Sequence, residues 1–250
     1  SRPAASASTG GGLGGHRRSP AYVDRWYVSR MADPKLVERG PLELDEIVEI
    51  VGEDAAENLE DELDALLREA PVFEWSGDLR IEGDVTSNEL FAQLAGFEAP
   101  EGATAYDRSF GVLVRGNLEV SGVLSVAQYH DVFVVGDVQA RSISSHTGNL
   151  VVSGRITADE VIAFECNEEG GLLHGASCGV PLLCRFSGDG GGPQWAVENE
   201  GPIEHWQRTP GFEELTAALA GLGVEASFLG LRELVCAGRA PELLAALGAS

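Results

Sequence analysis

The chain of 250 residues carries 40 acidic and 17 basic side chains, which gives a formal net charge of −23. This charge excludes a protein that works by neutralising phosphate, because nucleic acid and anionic lipid would both be repelled. It leaves open a basic partner. The chain is long enough to bury one sizeable core, and its apolar runs are shorter than the ~20 residues that a membrane helix needs. We therefore expect neither a nucleic acid nor a membrane as partner.

Residues 1–30 are expected to form a flexible arm, because they begin with a Gly/Ser/Ala stretch that has no hydrophobic period. Tyr22 and Trp26 lie in the second half of this arm. Aromatic side chains there either dock on the protein's own core or contact a partner, and the sequence leaves both alternatives open.

Residues 31–71 are predicted to form an acidic helical segment. Apolar residues recur at three- and four-residue steps, as on one side of an amphipathic helix. Gly52 is a position where the segment can divide into two helices, and Pro71 ends it. The predicted apolar stripe consists of Leu44, Ile47, Val48, Val51, Ala55, Leu59, Leu63, Leu66 and Leu67.

The other side of this segment is strongly acidic. Residues 42–69 hold 12 carboxylates and a single cation, Arg68, so that this stretch alone has a net charge of −11. Such a face is either simply solvated or a binding surface for a cationic partner, since nothing nearby in sequence relieves the repulsion. The residues predicted to contact a partner are Asp45, Glu49, Glu53, Glu57, Glu60 and Asp64, together with Tyr22 and Trp26.

Residues 72–186 change to an alternating pattern that repeats. The segments 112–120, 132–140 and 150–158 align on their glycines, a weaker copy surrounds Gly175, and an earlier one surrounds Gly77. Short strands hinged on a glycine every 18–21 residues are typical of a parallel β-solenoid. An antiparallel sandwich of hairpins is the alternative that strand length also allows.

The end of the chain returns to a helical pattern. Residues 187–208 read as a Gly/Trp loop, and residues 209–250 as a helical cap that starts at Thr209-Pro210 and contains three short helices. Because an exposed last coil would be an adhesive parallel edge, we expect this cap to cover it, which would also disfavour self-association.

Two groups of residues carry side chains of the types found in metal or catalytic sites. Cys166, His174, Cys178 and Cys184 are a weak candidate for a metal site, because they lack the close Cys-x₂₋₄-Cys pair typical of zinc. Four cysteines are also too few for a disulfide scaffold, so reduced thiols in a cytoplasm are the expectation. The other group consists of Ser144, Ser145 and His146 with His130 and Asp131, all at predicted corners. No oxyanion-hole motif accompanies it. We predict no catalytic residue and no cofactor.

The repeat resembles that of bactofilin-type, polymer-forming β-solenoid proteins. The similarity lies in residues 112–158, in the segments Val134-Val135-Gly136-Asp137-Val138 and Leu113-Val114-Arg115-Gly116-Asn117-Leu118. The resemblance implies a triangular right-handed parallel β-helix, no enzymatic activity and end-to-end polymerisation. Helical segments before and after the repeats depart from that family, whose filament-forming members leave their ends free.

These observations predict a mainly β protein, a short parallel β-solenoid with helical segments at its N- and C-terminal ends. The functional hypothesis is a non-enzymatic protein-protein interaction or scaffold protein, for example an immunity-type inhibitor of a basic toxin. A bactofilin-like structural polymer subunit and a hydrolase or metal enzyme with a site at the solenoid corners are the alternatives.

Overall fold

The computed structural model describes residues 36–39, 42–52, 56, 72–87, 90, 110–128, 130–166, 171–187, 206–208 and 210–249. It confirms a mainly β protein built as a parallel β-solenoid of about four turns, with one helix near the N-terminus and others at the C-terminal end. The sandwich alternative is wrong, because every pairing between successive coils is parallel. None of the helices in the described ranges is long and apolar enough to cross a bilayer.

The strands and helices follow one another along the chain with these bounds. The strands are β1 Leu36–Arg39, β2 Val72–Trp75, β3 Leu79–Ile81, β4 Val85–Thr86, β5 Phe110–Val114, β6 Leu118–Val126, β7 His130–Val134, β8 Val138–His146, β9 Asn149–Val152, β10 Arg155–Ala158, β11 Val161–Cys166, β12 Leu172–His174, β13 Ser177–Ser187 and β14 Trp206–Arg208. The helices are α1 Leu44–Val51, α2 Phe212–Gly221, α3 Phe228–Cys236 and α4 Ala240–Leu247.

The coils form three faces. The first face stacks β2, β5, β7, β9 and β12, and β1 adds to its first edge in the antiparallel direction. The second face contains β3, β10 and the first parts of β6, β8 and β13. The third face contains β4, β11, the second parts of those three long strands, and β14. A register shift between Val120 and Val123 marks where β6 turns from the second face to the third.

Alternate residues of each strand point into the solenoid and form its inner core. On the first face Val112, Val132 and Leu150 are aligned in successive coils, and all three are completely buried. Residues of the other two faces, such as Leu118 on the second and Ile143 on the third, complete the same apolar column. The alternation of apolar residues in the sequence therefore arises because every second residue of a strand points into this core.

The corner between the first and second faces explains the Gly-Asp and Gly-Asn pairs of the repeat. Asp78 Oδ1 accepts a hydrogen bond from the backbone N–H of Asn117 at 2.8 Å, and Asn117 Oδ1 accepts one from Asp137 N at 2.9 Å. Asp137 Oδ1 then accepts from Arg155 N at 2.8 Å. We call this row of hydrogen bonds between coils the Asx ladder. It ends at Arg155, because an arginine side chain has no hydrogen-bond acceptor.

A glycine stands before each corner residue whose N–H donates in this ladder, because the Asp or Asn oxygen of the preceding coil occupies the space that a side chain at the glycine position would need. A Cβ placed on Gly136 would lie 2.4 Å from Asn117 Oδ1, and one on Gly154 would lie 2.2 Å from Asp137 Oδ1. The same device appears once at the next corner, where Asp84 Oδ1 accepts from Val123 N at 2.8 Å. The glycines therefore allow neighbouring coils to approach each other closely at these corners.

The outward sides of the three faces differ. The first face buries Leu113, Phe133 and Val151 against Ile47 and Ile50 of α1. The third face carries apolar and small outward residues that pack against the three C-terminal helices: Val123, Val161, Ala163, Leu182, Cys184 and Phe186. The second face presents polar outward residues, among them Arg80, Glu119 and Gln139.

The C-terminal helices were expected on the edge of the last coil, and this expectation needs correction. They pack on the outward side of the third face, where Phe228 and Leu231 join the cluster of Val161 and Leu182. Part of the last edge is instead paired by β14, through Val180 with Trp206, so Trp206 lies in a strand and not in the predicted loop. The physical reason is that the third face carries an apolar outward row, which needs a cover.

Several predicted boundaries are displaced, and residues 36–39 of the predicted helical segment 31–71 form strand β1 instead, because they pair with β2. Helix α2 begins at Phe212 with Gly211 as its N-cap, two residues after the predicted Pro210. The weak repeat of the last coil was aligned on Gly175, but Arg155 pairs with Ser177, which places Ala176 opposite Gly154. The arm 1–30 lies outside the described residues.

Candidate functional site

Helix α1 is the described part of the acidic segment. Its first turn is fixed where Glu46 Oε2 accepts a hydrogen bond from Glu43 N at 3.2 Å, and Gly52, with a φ of 87°, ends the helix as predicted. The buried stripe is Ile47 and Ile50. Leu44, which was predicted on the stripe, is 43% exposed, because the docked side of the helix is turned toward Ile50, which the predicted stripe omitted.

Docking of this stripe on the first face directs three carboxylates toward solvent. Glu43, Asp45 and Glu49 are exposed, and in the part of the chain that the structure describes none of them forms an ion pair. Asp45 and Glu49 are two of the predicted partner contacts. The other predicted contacts lie outside the described residues: Glu53, Glu57, Glu60, Asp64, Tyr22 and Trp26.

Glu46 behaves differently from its neighbours because it belongs to an ion cluster with Arg39, Glu74 and Arg115. Its carboxylate receives both terminal nitrogens of Arg39, at 2.7 and 2.5 Å, and Arg115 Nη2 lies 3.4 Å away. Glu74 lies 3.1 Å from Arg39 and 3.2 Å from Arg115. The hydrogen bond from Arg39 is the main cause that lowers the pKa of Glu46. This cluster joins β1, α1, β2 and β5.

The sequence did not indicate this ion cluster. Arg39 and Arg115 are 7 and 69 residues from Glu46, so the search for helical i,i+4 partners could not find them. The available signal is that Glu74 lies within one strand of the repeat and Arg115 directly follows another. The result is that Glu46 is paired next to the solenoid, whereas Glu43, Asp45 and Glu49 face solvent without an ion pair to any described residue.

The structure keeps apart those predicted metal ligands whose side chains it describes, namely His174, Cys178 and Cys184. Cys178 lies in the inner core, whereas Cys184 faces outward under the C-terminal helices. Burial raises the pKa of Cys178 to about 11 and raises that of Cys184 further. His174 lies on the first face, and only the backbone of Cys166 is described. Within the described ranges no three His, Cys, Asp or Glu side chains form a metal-binding group.

The serines and histidines of the corner between the third and first faces serve packing. His130 points into the core, where its Nδ1 lies 2.7 Å from Ser87 Oγ, and both residues are completely buried. Successive residues of a strand point to opposite sides, so Asp131 lies on the other side of the sheet. There it accepts a hydrogen bond from Asn149 Nδ2 at 2.6 Å. These residues therefore do not assemble into a Ser-His-Asp triad.

His146 and Ser145 have equally structural surroundings. His146 Nε2 lies 3.0 Å from Glu165 Oε2, and its ring stacks on Phe228 of α3 with 5.3 Å between centroids. Ser145 Oγ donates to the carbonyl of Gly148 at 2.8 Å. These contacts close the corner and attach α3 to the third face. The solvent-facing acidic side of α1 remains the most accessible candidate site.

Comparison with known proteins gives no relative: no family model, no curated protein and no solved structure matches this chain.

Proposed function

We propose that the protein is a non-enzymatic binding protein whose acidic α1 surface recognises a basic protein partner. The observation that carries the proposal is the fixed orientation of α1. Its apolar stripe is buried on the solenoid, so Glu43, Asp45 and Glu49 are held toward solvent. These three residues belong to the stretch 42–69, which has a net charge of −11 in total. A rigid array of one sign attracts a complementary surface over long range and fixes its orientation.

Two features favour a discrete binder over a polymer subunit. Strand β1 pairs with β2 in the antiparallel direction and occupies the edge that a parallel stack would extend. At the other end the Asx ladder stops at Arg155, and β14 pairs with part of β13. An acidic inhibitor of a basic protein, such as an immunity-type partner of a toxin, is the concrete form of this proposal.

The experiment is affinity capture from the native host, followed by binding measurements with the purified partner. Asp45→Lys together with Glu49→Lys is compared with the matched control Glu213→Lys together with Glu233→Lys, which changes the net charge equally at exposed positions on α2 and α3. We expect the α1 variant to bind on the order of tenfold more weakly or worse, the control to bind almost normally, and wild-type affinity to fall with rising salt. Equal losses in both variants, or salt-independent binding, would refute the proposal.

A further inference from the structure

Asp131 is a buried acidic side chain that forms no ion pair with any residue that the structure describes. It lies on β7 with an exposure of 2%, between Gly111 of β5 and Asn149 of β9. It shares the outward side of the first face with Phe133, which packs in the apolar cluster that contains α1. An ionised carboxylate in such a place is costly unless a partner compensates it.

The described partner of Asp131 is the amide of Asn149, and this amide is incompletely used. Asn149 Nδ2 donates to Asp131 Oδ1 at 2.6 Å, whereas Asn149 Oδ1 is buried and has no hydrogen-bond donor in the described part of the chain. A carboxylic acid and a primary amide can form two hydrogen bonds with each other. The acid O–H then supplies the donor that the amide oxygen lacks.

We propose that Asp131 and Asn149 form a buried proton-binding pair, in which neutral Asp131 donates its O–H to Asn149 Oδ1, and that loss of this proton weakens the fold. The pair makes the protein respond to pH through one internal group on the covered side of the first face.

The charged groups of neighbouring elements do not take over this role. On the outward side of the first face Glu74 and Arg115 are engaged with Arg39 and Glu46 near the opposite ends of the strands. His174 of β12 lies next to Val151, two residues beyond Asn149, and burial lowers its pKa. The exposed carboxylates of α1, Asp45 and Glu49, lie on the solvent side of the helix.

The direction of the pH effect follows from burial. Burial raises the pKa of Asp131 from 3.8 to about 7, and the hydrogen bond from Asn149 lowers it by a smaller amount. The folded protein therefore keeps this proton between pH 4 and 7, while the unfolded chain loses it. The stabilising effect is complete below pH 4 and is lost as the pH rises to 7. Within this window the folding equilibrium constant falls by up to about tenfold per pH unit.

The test combines infrared spectroscopy and denaturation of the full chain. The difference spectrum between wild type and Asp131→Asn should contain the C=O band of one protonated carboxylic acid at pH 5.5, and this band should disappear around pH 7. In urea unfolding from pH 4.5 to 8, the wild type should lose stability relative to Asp131→Asn. The matched control is Asp137→Asn, an exposed corner position where a neighbouring coil naturally carries Asn117. It should follow the wild-type pH curve.

Two outcomes would overturn the proposal: absence of the band at pH 5.5, or parallel pH curves for wild type and Asp131→Asn. Should Asp131→Asn fail to fold, Asn149→Ala decides. It removes both hydrogen bonds of the pair, so the pH midpoint of the infrared band should differ from that of wild type. An unchanged midpoint in this variant would show that the pair does not act as a unit.

Discussion

The first and third faces of the solenoid share the same inner column but are covered on the outside by different means. The third face carries apolar or small residues, such as Val161 and Ala163, under three helices. The first face is covered by α1, next to a four-residue ion cluster and the buried Asp131. Coil stacking therefore fixes the identity of the inward residues only. The outward residues differ from face to face. They form a hydrophobic surface on the third face, a partly charged one on the first face and a polar one on the second face.

The largest effect should come from the cover of the third face. Leu231 of α3 is completely buried, so Leu231→Ala should lower the free energy of unfolding by about 2–5 kcal/mol through lost transfer energy and a cavity. The effect should change little with salt. Urea denaturation measures it, with Leu229→Ala as the control on the same helix. Leu229 is 52% exposed, and its substitution should stay within about 0.5 kcal/mol. Equal effects of the two substitutions would contradict the packing of α3.

A smaller, salt-dependent effect is expected on the first face. Glu46→Gln removes the charge that Arg39 and Arg115 share, and we expect a loss of about 1–2 kcal/mol at low salt that shrinks as salt is added. The control is Glu49→Gln on the same helix, an exposed residue whose substitution should cost less than about 0.5 kcal/mol. If the Glu46→Gln loss were independent of salt, the difference between the two covers would not be electrostatic.

The smallest effect is expected on the second face. Glu119 Oε2 lies 2.6 Å from Arg80 Nη2, but the two side chains are 47% and 70% exposed. Exposed ion pairs contribute about 0.2–1 kcal/mol, so Glu119→Gln should hardly change the urea midpoint. A loss as large as that of Glu46→Gln would indicate that this face is less open than the structure shows.

The inner column could be predicted from the sequence because its pattern is local. Alternation of residues such as Val112 and Val114, together with the spacing of Gly116, Gly136 and Gly154, is sufficient to indicate stacked coils. The reason for the glycines could not be predicted, since it depends on hydrogen bonds across coils. Asp78 and Asn117 are 39 residues apart in sequence.

The candidate site was predictable only in its charge. Asp45 and Glu49 were recognised as part of an acidic face, whereas the pairing of Glu46 depends on cations brought near by the fold. The stripe of α1 was placed incorrectly at Leu44 because an eight-residue helix contains too few turns to fix its buried side without knowledge of what it packs against. Asp131 was considered for catalysis, and its position on the other side of the sheet from His130 follows from strand alternation alone.

Carboxyl footprinting of the partner complex can locate the surface of the protein that the partner covers. Solvent-accessible carboxylates are labelled with a carbodiimide and an amine, free and in complex, and the modified residues are read by mass spectrometry. If α1 is the binding surface, Asp45 and Glu49 become protected by the partner while Glu213 and Glu233 on the C-terminal helices remain labelled. Unchanged labelling of α1, with protection on the C-terminal helices or the second face, would contradict it.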